Sequence, residues 1–281
     1  MTYFKNLIQL IFFGNFFISS GAVALVYCTY IELSTKDIAP AYYGLVFSST
    51  LFIYNLQRFF ITKSTTEVLD NERKQWIQKN KHTVAGIIFF SGVATAVFYF
   101  NISQPVFLSL LPLFIISLAY FLPPFHLRKK PWAKTVVLAL VWTGTTAFLP
   151  IVLSGLSLSN TASVLHLLSR FFFMTSICMV FDLRDLETDK KDGANTIALM
   201  YGEQKTVLIA LLFMLLHAVC TGIEYATNTI SGSIAYALIL SALINGVVVG
   251  LSNQKRGEFF FIGGIDGTII IQWLSLFVVN F

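Results

Sequence analysis

Charged residues are scarce in this chain of 281 residues: Asp, Glu, Lys and Arg together make up 12% of it, whereas 56% is hydrophobic. A soluble domain of this length needs more charged surface, so the composition argues against a soluble protein and predicts helices that cross a lipid bilayer. The net charge of +5 is divided among separate loops and forms no single basic patch, so no nucleic-acid partner is expected.

Cysteine and histidine are also rare, with three and four residues. Cys28, Cys178 and Cys220 all lie in apolar runs, where they are typical of small buried side chains and indicate neither a disulfide nor a zinc site. The histidines, including His166 and His217, show no metal-ligand spacing. The first apolar run, from 7 to 30, is too long for a cleavable signal peptide, so we expect it to remain as a membrane helix.

Apolar runs of about 20 residues, the length of a membrane-spanning helix, recur along the whole chain. They predict an all-α membrane protein in which nine transmembrane helices form one bundle with pseudo-repeated halves, around a central cavity open near the cytoplasmic side. Residues 1–281 are expected to form a single polytopic domain. The spans are expected at about 7–29, 39–61, 84–101, 104–122, 133–155, 161–182, 205–225, 231–251 and 258–280.

Lys and Arg are concentrated in alternate loops, at 62–83, 123–134, 183–206 and 255–256. The positive-inside rule therefore predicts a cytoplasmic N-terminus and an external C-terminus, and we expect a bacterial inner membrane. The first three loops are expected to form helical caps on the cytoplasmic side. The first of them fits either a solvated linker or an amphipathic helix whose apolar edge is formed by Leu69, Trp76 and Ile77.

Acidic residues cluster where the sixth apolar run ends. Asp182, Asp185 and Asp189 are spaced i, i+3 and i+7, so on a helix they lie on one face. Three carboxylates on one face repel each other unless a cation lies among them, and Mg²⁺ typically bridges carboxylates to substrate phosphates. The spacing therefore predicts a metal site for a phosphorylated substrate at the membrane surface.

The end of the second apolar run is similar to this acidic segment. Residues 54–63 read Tyr-Asn-Leu-Gln-Arg-Phe-Phe-Ile-Thr-Lys, and residues 181–190 read Phe-Asp-Leu-Arg-Asp-Leu-Glu-Thr-Asp-Lys. Such a repeat indicates two pseudo-equivalent halves, each presenting a polar helix end to one cavity. In the first copy, Asn55, Arg58 and Thr62 take the positions of the three aspartates.

The acidic segment resembles the second aspartate-rich motif of the UbiA superfamily of intramembrane prenyltransferases. Besides the three acids, the resemblance covers Arg184, Gly193, Thr196 and Gly202. A second segment resembles the loop that follows the family's fourth span, with a tyrosine, two prolines and then basic residues. It consists of Tyr120, Pro123, Pro124, His126, Arg128, Lys129 and Lys130.

The first motif of that family, an Asn-Asp pair followed by further acids at helical spacing, is not reproduced. When Asn55 is taken as its Asn, the acidic positions hold Leu56, Phe59 and Lys63; aligned by the internal repeat, they hold Asn55, Arg58 and Thr62. Neither register contains a carboxylate. The chain therefore keeps one acidic half of a two-motif site.

The resemblance implies an enzyme that moves a prenyl group from a prenyl diphosphate to an aromatic or other lipophilic acceptor. Asp182, Asp185 and Asp189 would be its catalytic and metal-binding residues, holding one Mg²⁺ ion where two are usual. We expect Arg58 to replace the second ion through bidentate phosphate contacts, or else to pair with Asp185 or Asp182 and close an inactive site. The expected diphosphate ligands are Arg58, Arg184, Lys129, Lys130, Asn55 and Tyr120.

Two further charges lie inside apolar runs, where charge is costly and therefore marks candidate functional positions. Asp266 either faces the cavity, towards acceptor or metal, or bonds to a neighbouring helix. Arg170 precedes Asp182 by twelve residues, too far along a helix to reach the same phosphate, so we expect it to have a structural partner.

Other functions remain open. A UbiA-like protein without activity could bind an isoprenoid or act as a scaffold, and a terpene cyclase could use the same fold. A transporter is disfavoured because the acids lie at the membrane surface, whereas secondary transporters bind their coupling ions near the midplane. The acceptor, the prenyl chain length and the oligomeric state are not encoded in these motifs.

Overall fold

A computed structural model describes residues 2–35, 39–64, 72–102, 104–122, 125, 127–130 and 132–280. Throughout these residues the regular elements are helical and none is a strand, as the composition predicts. Leu69, Pro123, Pro124 and His126 lie outside the described residues. The chain divides into two compact units, and the prediction of a single domain stays a prediction.

The first unit comprises Met1–Val23 and Ala39–Phe107. Its helices are α1 (Thr2–Phe13), the first part of α2 (Phe16–Leu33), α3 (Pro40–Ser64), α4 (Glu72–Lys79) and α5 (Lys81–Phe100). In α4, Ile77 is buried and the ring of Trp76 contacts Phe13 edge-on, at 6.0 Å between centroids. These two residues of the predicted apolar edge therefore pack inside the unit.

The predicted single helix at 7–29 is wrong, because α1 and α2 are separated at Gly14 and Asn15. Asn15 has a φ of 65°, a left-handed conformation that a right-handed helix cannot continue through. Two buried side chains hold the break: Arg73 donates to Asn15 Oδ1, and Asn55 Nδ2 donates to the carbonyl oxygen of Gly14 at 2.9 Å. The break is thus a specified structural feature, held by side-chain hydrogen bonds.

The second unit comprises Ala24–Ile38 and Leu108–Phe281, so it includes the second part of α2. It also includes most of α6 (Gln104–Phe121), whose residues up to Phe107 belong to the first unit. Its other helices are α7 (Ala133–Thr143), α8 (Leu149–Leu153), α9 (Thr161–Arg184), α10 (Leu186–Lys191), α11 (Ile197–Tyr201), α12 (Glu203–Ala226), α13 (Gly232–Gly250) and α14 (Gly267–Asn280). Part of its core is formed where α2, α13 and α14 pack, through Cys28, Ile31, Leu238 and Leu276. All three cysteines are free and buried, as predicted.

Seven helical segments within the described residues are long and apolar enough to cross a membrane. They are Phe16–Leu33, Lys81–Phe100, Ala133–Leu153, Thr161–Arg184, Glu203–Ala226, Gly232–Gly250 and Phe260–Asn280. The two remaining predicted spans, 39–61 and 104–122, correspond to α3 and α6, which do not reach this measure on their described residues. Nine spans and a central cavity are therefore not confirmed.

Two of the membrane-length segments contain a π-helical turn, at Gly144–Phe148 and at Phe260–Ile265. Such turns interrupt the regular helical hydrogen bonds and often occur at functional positions. In the first, the carbonyl oxygen of Thr146 accepts a hydrogen bond from the hydroxyl of Thr29 at 2.7 Å. The second ends immediately before Asp266, one of the candidate site residues.

Candidate functional site

The three predicted metal-binding aspartates lie in the second unit, where α9 ends and α10 begins. Asp182 is in the last turn of α9, Asp185 lies between the helices and Asp189 is in α10. The three acids do not lie on one continuous helix, because the backbone of Asp185 (φ −88°, ψ 0°) ends α9. The N–H of Asp189 still donates to the carbonyl oxygen of Asp185 at 2.8 Å, so the chain keeps its helical turn and the acids stay together.

The ammonium group of Lys134 lies among all three carboxylates. Its Nζ is 2.6 Å from Asp189 Oδ2, 3.1 Å from Asp185 Oδ2 and 3.2 Å from Asp182 Oδ1. The side chains of Lys134, Asp182 and Asp189 are 7%, 1% and 0% exposed, whereas that of Asp185 is 25% exposed. We call these four residues the lysine–aspartate cluster.

Sequence reasoning missed Lys134 as a site residue and treated it only as one basic residue of the loop 123–134. It is the second residue of α7, and a lysine at the end of an apolar helix usually extends its side chain to the membrane surface. Here the packing of α7 against α9 buries it instead. A buried ammonium requires carboxylate partners, and this requirement is the signal that could have indicated the cluster.

Arg184 holds the most exposed carboxylate of the cluster. Its Nε donates to Asp185 Oδ1 at 2.8 Å and its Nη2 donates to Asp185 Oδ2 at 3.2 Å, a bidentate arrangement. The guanidinium also lies 4.6 Å from the ring centroid of Phe181, and its Nη1 is 3.7 Å from Glu258 Oε1. The sequence predicts Arg184 to be a diphosphate ligand, and this role stays a prediction. In the structure, its two hydrogen bonds orient the carboxylate of Asp185.

A glycine turn follows the last aspartate of the cluster. Gly193 has a φ of 64°, in the left-handed region that favours glycine. This turn allows the N–H of Ala194 to donate to the carbonyl oxygen of Asp189 at 2.9 Å. The glycine of the motif therefore fixes the end of α10, next to Asp189.

The basic segment before α7 is tied to the acidic segment by two contacts. Arg128 Nη2 donates to Asp192 Oδ2 at 3.1 Å and lies 3.9 Å from Asp189 Oδ1. The N–H of Asn195 donates to the carbonyl oxygen of Lys129 at 3.1 Å. The two motifs on which the sequence resemblance rests are therefore neighbours in space.

The remaining predicted site residues of the second unit differ in burial and in their interactions with the cluster. Tyr120 is buried at the end of α6, within electrostatic range of Lys134. Asp266, which is 9% exposed, interacts electrostatically with Arg184, so it belongs to the same charged region. The side chains of Lys129 and Lys130 are exposed.

Asn55 and Arg58 belong to the first unit. Asn55 is buried, and its Nδ2 donates to the carbonyl oxygens of Gly14 and Leu51, at 2.9 and 2.8 Å. Its amide therefore supports the break between α1 and α2. Arg58 is half-buried in α3. Their predicted contacts with the diphosphate, and the predicted choice for Arg58 between metal replacement and acid pairing, stay predictions.

Burial and charge act against each other at Asp189. Burial raises the pKa of its carboxyl group to about 6, although the Lys134 ammonium favours the charged form. Carboxylate oxygens are the ligands that Mg²⁺ prefers, so the donors of the cluster suit this ion. However, no three acidic, histidine or cysteine side chains in the described part of the chain are gathered closely enough to hold a metal by themselves. The described side chains therefore do not form a complete metal site by themselves.

A second buried polar group involves the N-terminal half of α9. Arg170 Nη2 donates to Glu32 Oε1 at 3.1 Å, and Nδ1 of His166 is 3.0 Å from Glu32 Oε2. Nε2 of His166 is 3.0 Å from the hydroxyl of Thr29. Arg170 thus has the structural partner that the sequence predicts, and it lies away from the aspartates.

His217 also has a buried polar partner, which the sequence did not indicate. Its Nδ1 is 2.8 Å from the hydroxyl of Ser169, and its ring packs 5.2 Å from that of Phe173. The histidines of the apolar runs therefore serve contacts between helices, consistent with the absence of metal-ligand spacing.

Fold and site together define a multi-pass helical membrane protein with a charged cluster at the end of one apolar helix. The chain belongs to the UbiA prenyltransferase family, whose model matches residues 77–265. This match confirms the sequence resemblance. It includes the whole lysine–aspartate cluster and begins after Asn55 and Arg58.

Solved structures of UbiA homologues share the fold over nearly the whole chain. One from Archaeoglobus fulgidus, bound to GPP and Mg²⁺, is 11% identical with a TM-score of 0.70, over 97% of this chain and 99% of that one. A digeranylgeranylglyceryl phosphate synthase structure is 15% identical with a TM-score of 0.61, over 100% and 99%. An apo homologue from Aeropyrum pernix K1 is 12% identical with a TM-score of 0.59, over 93% and 94%. A comparison with curated proteins gave no match.

Proposed function

We propose that this protein is an intramembrane prenyltransferase that transfers the prenyl group of a prenyl diphosphate to a lipophilic acceptor. The observation that carries the proposal is the lysine–aspartate cluster at the end of α9, in a chain of the UbiA family. Homologous structures bound to GPP or DMAPP with Mg²⁺ support the substrate class.

The transfer breaks the bond between the first prenyl carbon and the diphosphate oxygen, and the electron pair leaves with the diphosphate. The acceptor supplies the electron pair of the new bond and releases a proton. Mg²⁺, when bound, would neutralise charge that develops on the diphosphate. Asp185 and Asp189 are the residues suited to hold it, with Asp182 behind them. The apolar helices exclude water, which would otherwise capture the allylic carbocation.

The basic residues around the cluster would bind and orient the diphosphate. Lys129 and Lys130 are exposed, and Nη2 of the neighbouring Arg128 lies 3.9 Å from Asp189 Oδ1. Tyr120 is within electrostatic range of Lys134 and would contribute a hydroxyl on the same side. Asn55 and Arg58 are assigned to the same substrate on the strength of the internal repeat.

A turnover assay tests this function. Purified protein in lipid nanodiscs is incubated with Mg²⁺, radiolabelled geranyl, farnesyl or geranylgeranyl diphosphate, and a bacterial lipid extract as acceptor. A labelled lipid product that disappears with Asp185→Ala, and is retained with Lys205→Met, supports the proposal. Lys205 is an exposed residue of α12 and controls for expression and reconstitution.

One observation favours a second function, an isoprenoid-binding protein without turnover. Lys134 already places a positive charge among the carboxylates that would hold a metal ion. Saturable binding of an unreactive prenyl diphosphate analogue, with no product from any of the three substrates, would support this second function and exclude the first.

We also propose that the N-terminus and the charged cluster face the cytoplasm of a bacterial inner membrane. The basic residues on the loops 62–83, 123–134 and 183–206 support this orientation. Labelling of single cysteines by a membrane-impermeant maleimide, at positions 130 and 228 in a cysteine-free background, tests it. Labelling of intact cells at position 228 and not at position 130 is expected.

A further inference from the structure

The ammonium of Lys134 has as many hydrogen-bond donors as the cluster has carboxylates, and it lies where the carboxylates meet. A lysine ammonium has three N–H donors, and here one carboxylate oxygen from each of the three aspartates lies within 2.6–3.2 Å of it. The Lys134 side chain is 7% exposed, and its ammonium lies at the point where the three carboxylates meet. It therefore takes the position that a cation shared by all three would take.

Because the point among the three carboxylates is buried, the ammonium and a divalent ion cannot both occupy it. The Asp182 and Asp189 side chains are 1% and 0% exposed, and buried carboxylates need a paired positive charge. Lys134 supplies that charge from within the chain. A divalent ion at the same point would have to displace the ammonium, or be repelled by it at close range.

A metal ion beside the ammonium would share oxygen atoms of Asp185 and Asp189 with their present basic partners. Asp185 is the aspartate whose side chain is 25% exposed. Asp189 Oδ1 is buried and accepts no hydrogen bond within the described residues; Arg128 Nη2 lies 3.9 Å from it. One ion held by one or two carboxylates, with diphosphate oxygens and water as further ligands, is the usual coordination of Mg²⁺ at phosphate sites.

We propose that Lys134 is a tethered cation that takes the place of one divalent ion, so that this site binds a prenyl diphosphate with a single metal ion. The inference rests on the proposed prenyl diphosphate substrate and specifies how its charge is balanced. Lys134 acts as a positioning residue: it keeps Asp182 and Asp189 together, and thereby sets where the single ion binds.

Metal counting tests the proposal. Mn²⁺, a paramagnetic substitute for Mg²⁺, is titrated into purified protein in nanodiscs and the free ion is measured by electron paramagnetic resonance. The titration is made with and without geranyl S-thiolodiphosphate, an unreactive analogue. With the analogue, we expect one bound Mn²⁺ per chain in the natural protein and in Lys205→Met.

The key variant is Lys134→Met, which keeps most of the length of the side chain and removes its charge. We expect it to bind two Mn²⁺ ions with the analogue, or to bind Mn²⁺ without the analogue at least about tenfold more tightly, roughly 1.4 kcal/mol. Lys134→Arg, which keeps the charge, is expected to bind one ion.

Two results would overturn the proposal: two Mn²⁺ ions per chain in the natural protein, or the same number and affinity in Lys134→Met as in the natural protein. The count in the natural protein decides the matter even when Lys134→Met does not fold. Absence of analogue binding to natural protein would contradict the substrate class itself. The Mn²⁺ affinities measured without analogue then still decide whether Lys134 occupies a cation position.

Discussion

Lys134 Nζ and Asp189 Oδ2 are 2.6 Å apart, and the two side chains are 7% and 0% exposed. This contact joins the beginning of α7 to α10, beyond the end of α9. In a salt bridge this far from solvent, each charge has lost most of its hydration and is stabilised mainly by the other charge. The stability of the cluster should therefore respond strongly to any change in its cationic partner.

Removing the ammonium should make the protein's stability depend on divalent ions. In EDTA, Lys134→Met leaves buried carboxylates without a cation, and we expect a loss of about 3–5 kcal/mol and a lower melting temperature. Adding Mg²⁺ to about 10 mM, a concentration chosen to saturate the site, should restore much of the lost stability because the ion replaces the missing positive charge. Intrinsic tryptophan fluorescence during heating measures both effects. An equal Mg²⁺ response in Lys205→Met and Lys134→Met would contradict this prediction.

The bidentate contact between Arg184 and Asp185 should affect the affinity for a prenyl diphosphate through its geometry as well as its charge. Arg184→Lys keeps the charge and loses the bidentate contact, so Asp185 becomes less ordered. We expect affinity for geranyl S-thiolodiphosphate in the presence of Mg²⁺ to fall by about tenfold, roughly 1.4 kcal/mol, as measured by calorimetry. Lys190→Arg, an exposed charge-preserving change nearby, serves as control. Unchanged affinity in Arg184→Lys would show that the orientation of Asp185 is not limiting.

The buried pair of Arg170 and Glu32 should be coupled. Arg170→Met leaves Glu32 without the cation that donates to it at 3.1 Å, and we expect a loss of about 3–5 kcal/mol. The double variant Glu32→Gln with Arg170→Met removes both charges and should lose less than the single variant. Thermal unfolding of the two single variants, the double variant and the natural protein completes the cycle. Additive losses would contradict direct coupling.

Gly193 should be sensitive to backbone conformation alone. A Cβ atom there would meet no neighbour within 4 Å, but the φ of 64° is strained for alanine. Gly193→Ala is therefore expected to cost about 1–2 kcal/mol. Gly86→Ala, within α5 and equally free of neighbours, is the matched control and should cause no loss. Equal melting temperatures for the two variants would show that this turn is not strained.

The sequence determined the class of protein and the family to which it belongs. Runs of apolar residues define membrane helices because their length and composition are local properties, and seven such segments are present in the described chain. The acids at 182, 185 and 189 and the glycine at 193 are also local features, and they carry part of the resemblance to the family that the comparison confirmed.

Other features depended on tertiary structure, because they join residues that are distant along the chain. Lys134 is separated from Asp185 by 51 positions in the chain, and no periodicity links the two. The partner of Arg170 is 138 positions away. The break at Asn15 depends on Arg73, which the packing of α4 brings to it. Helix packing therefore decided which charges are paired, since a buried charge takes the nearest partner in space.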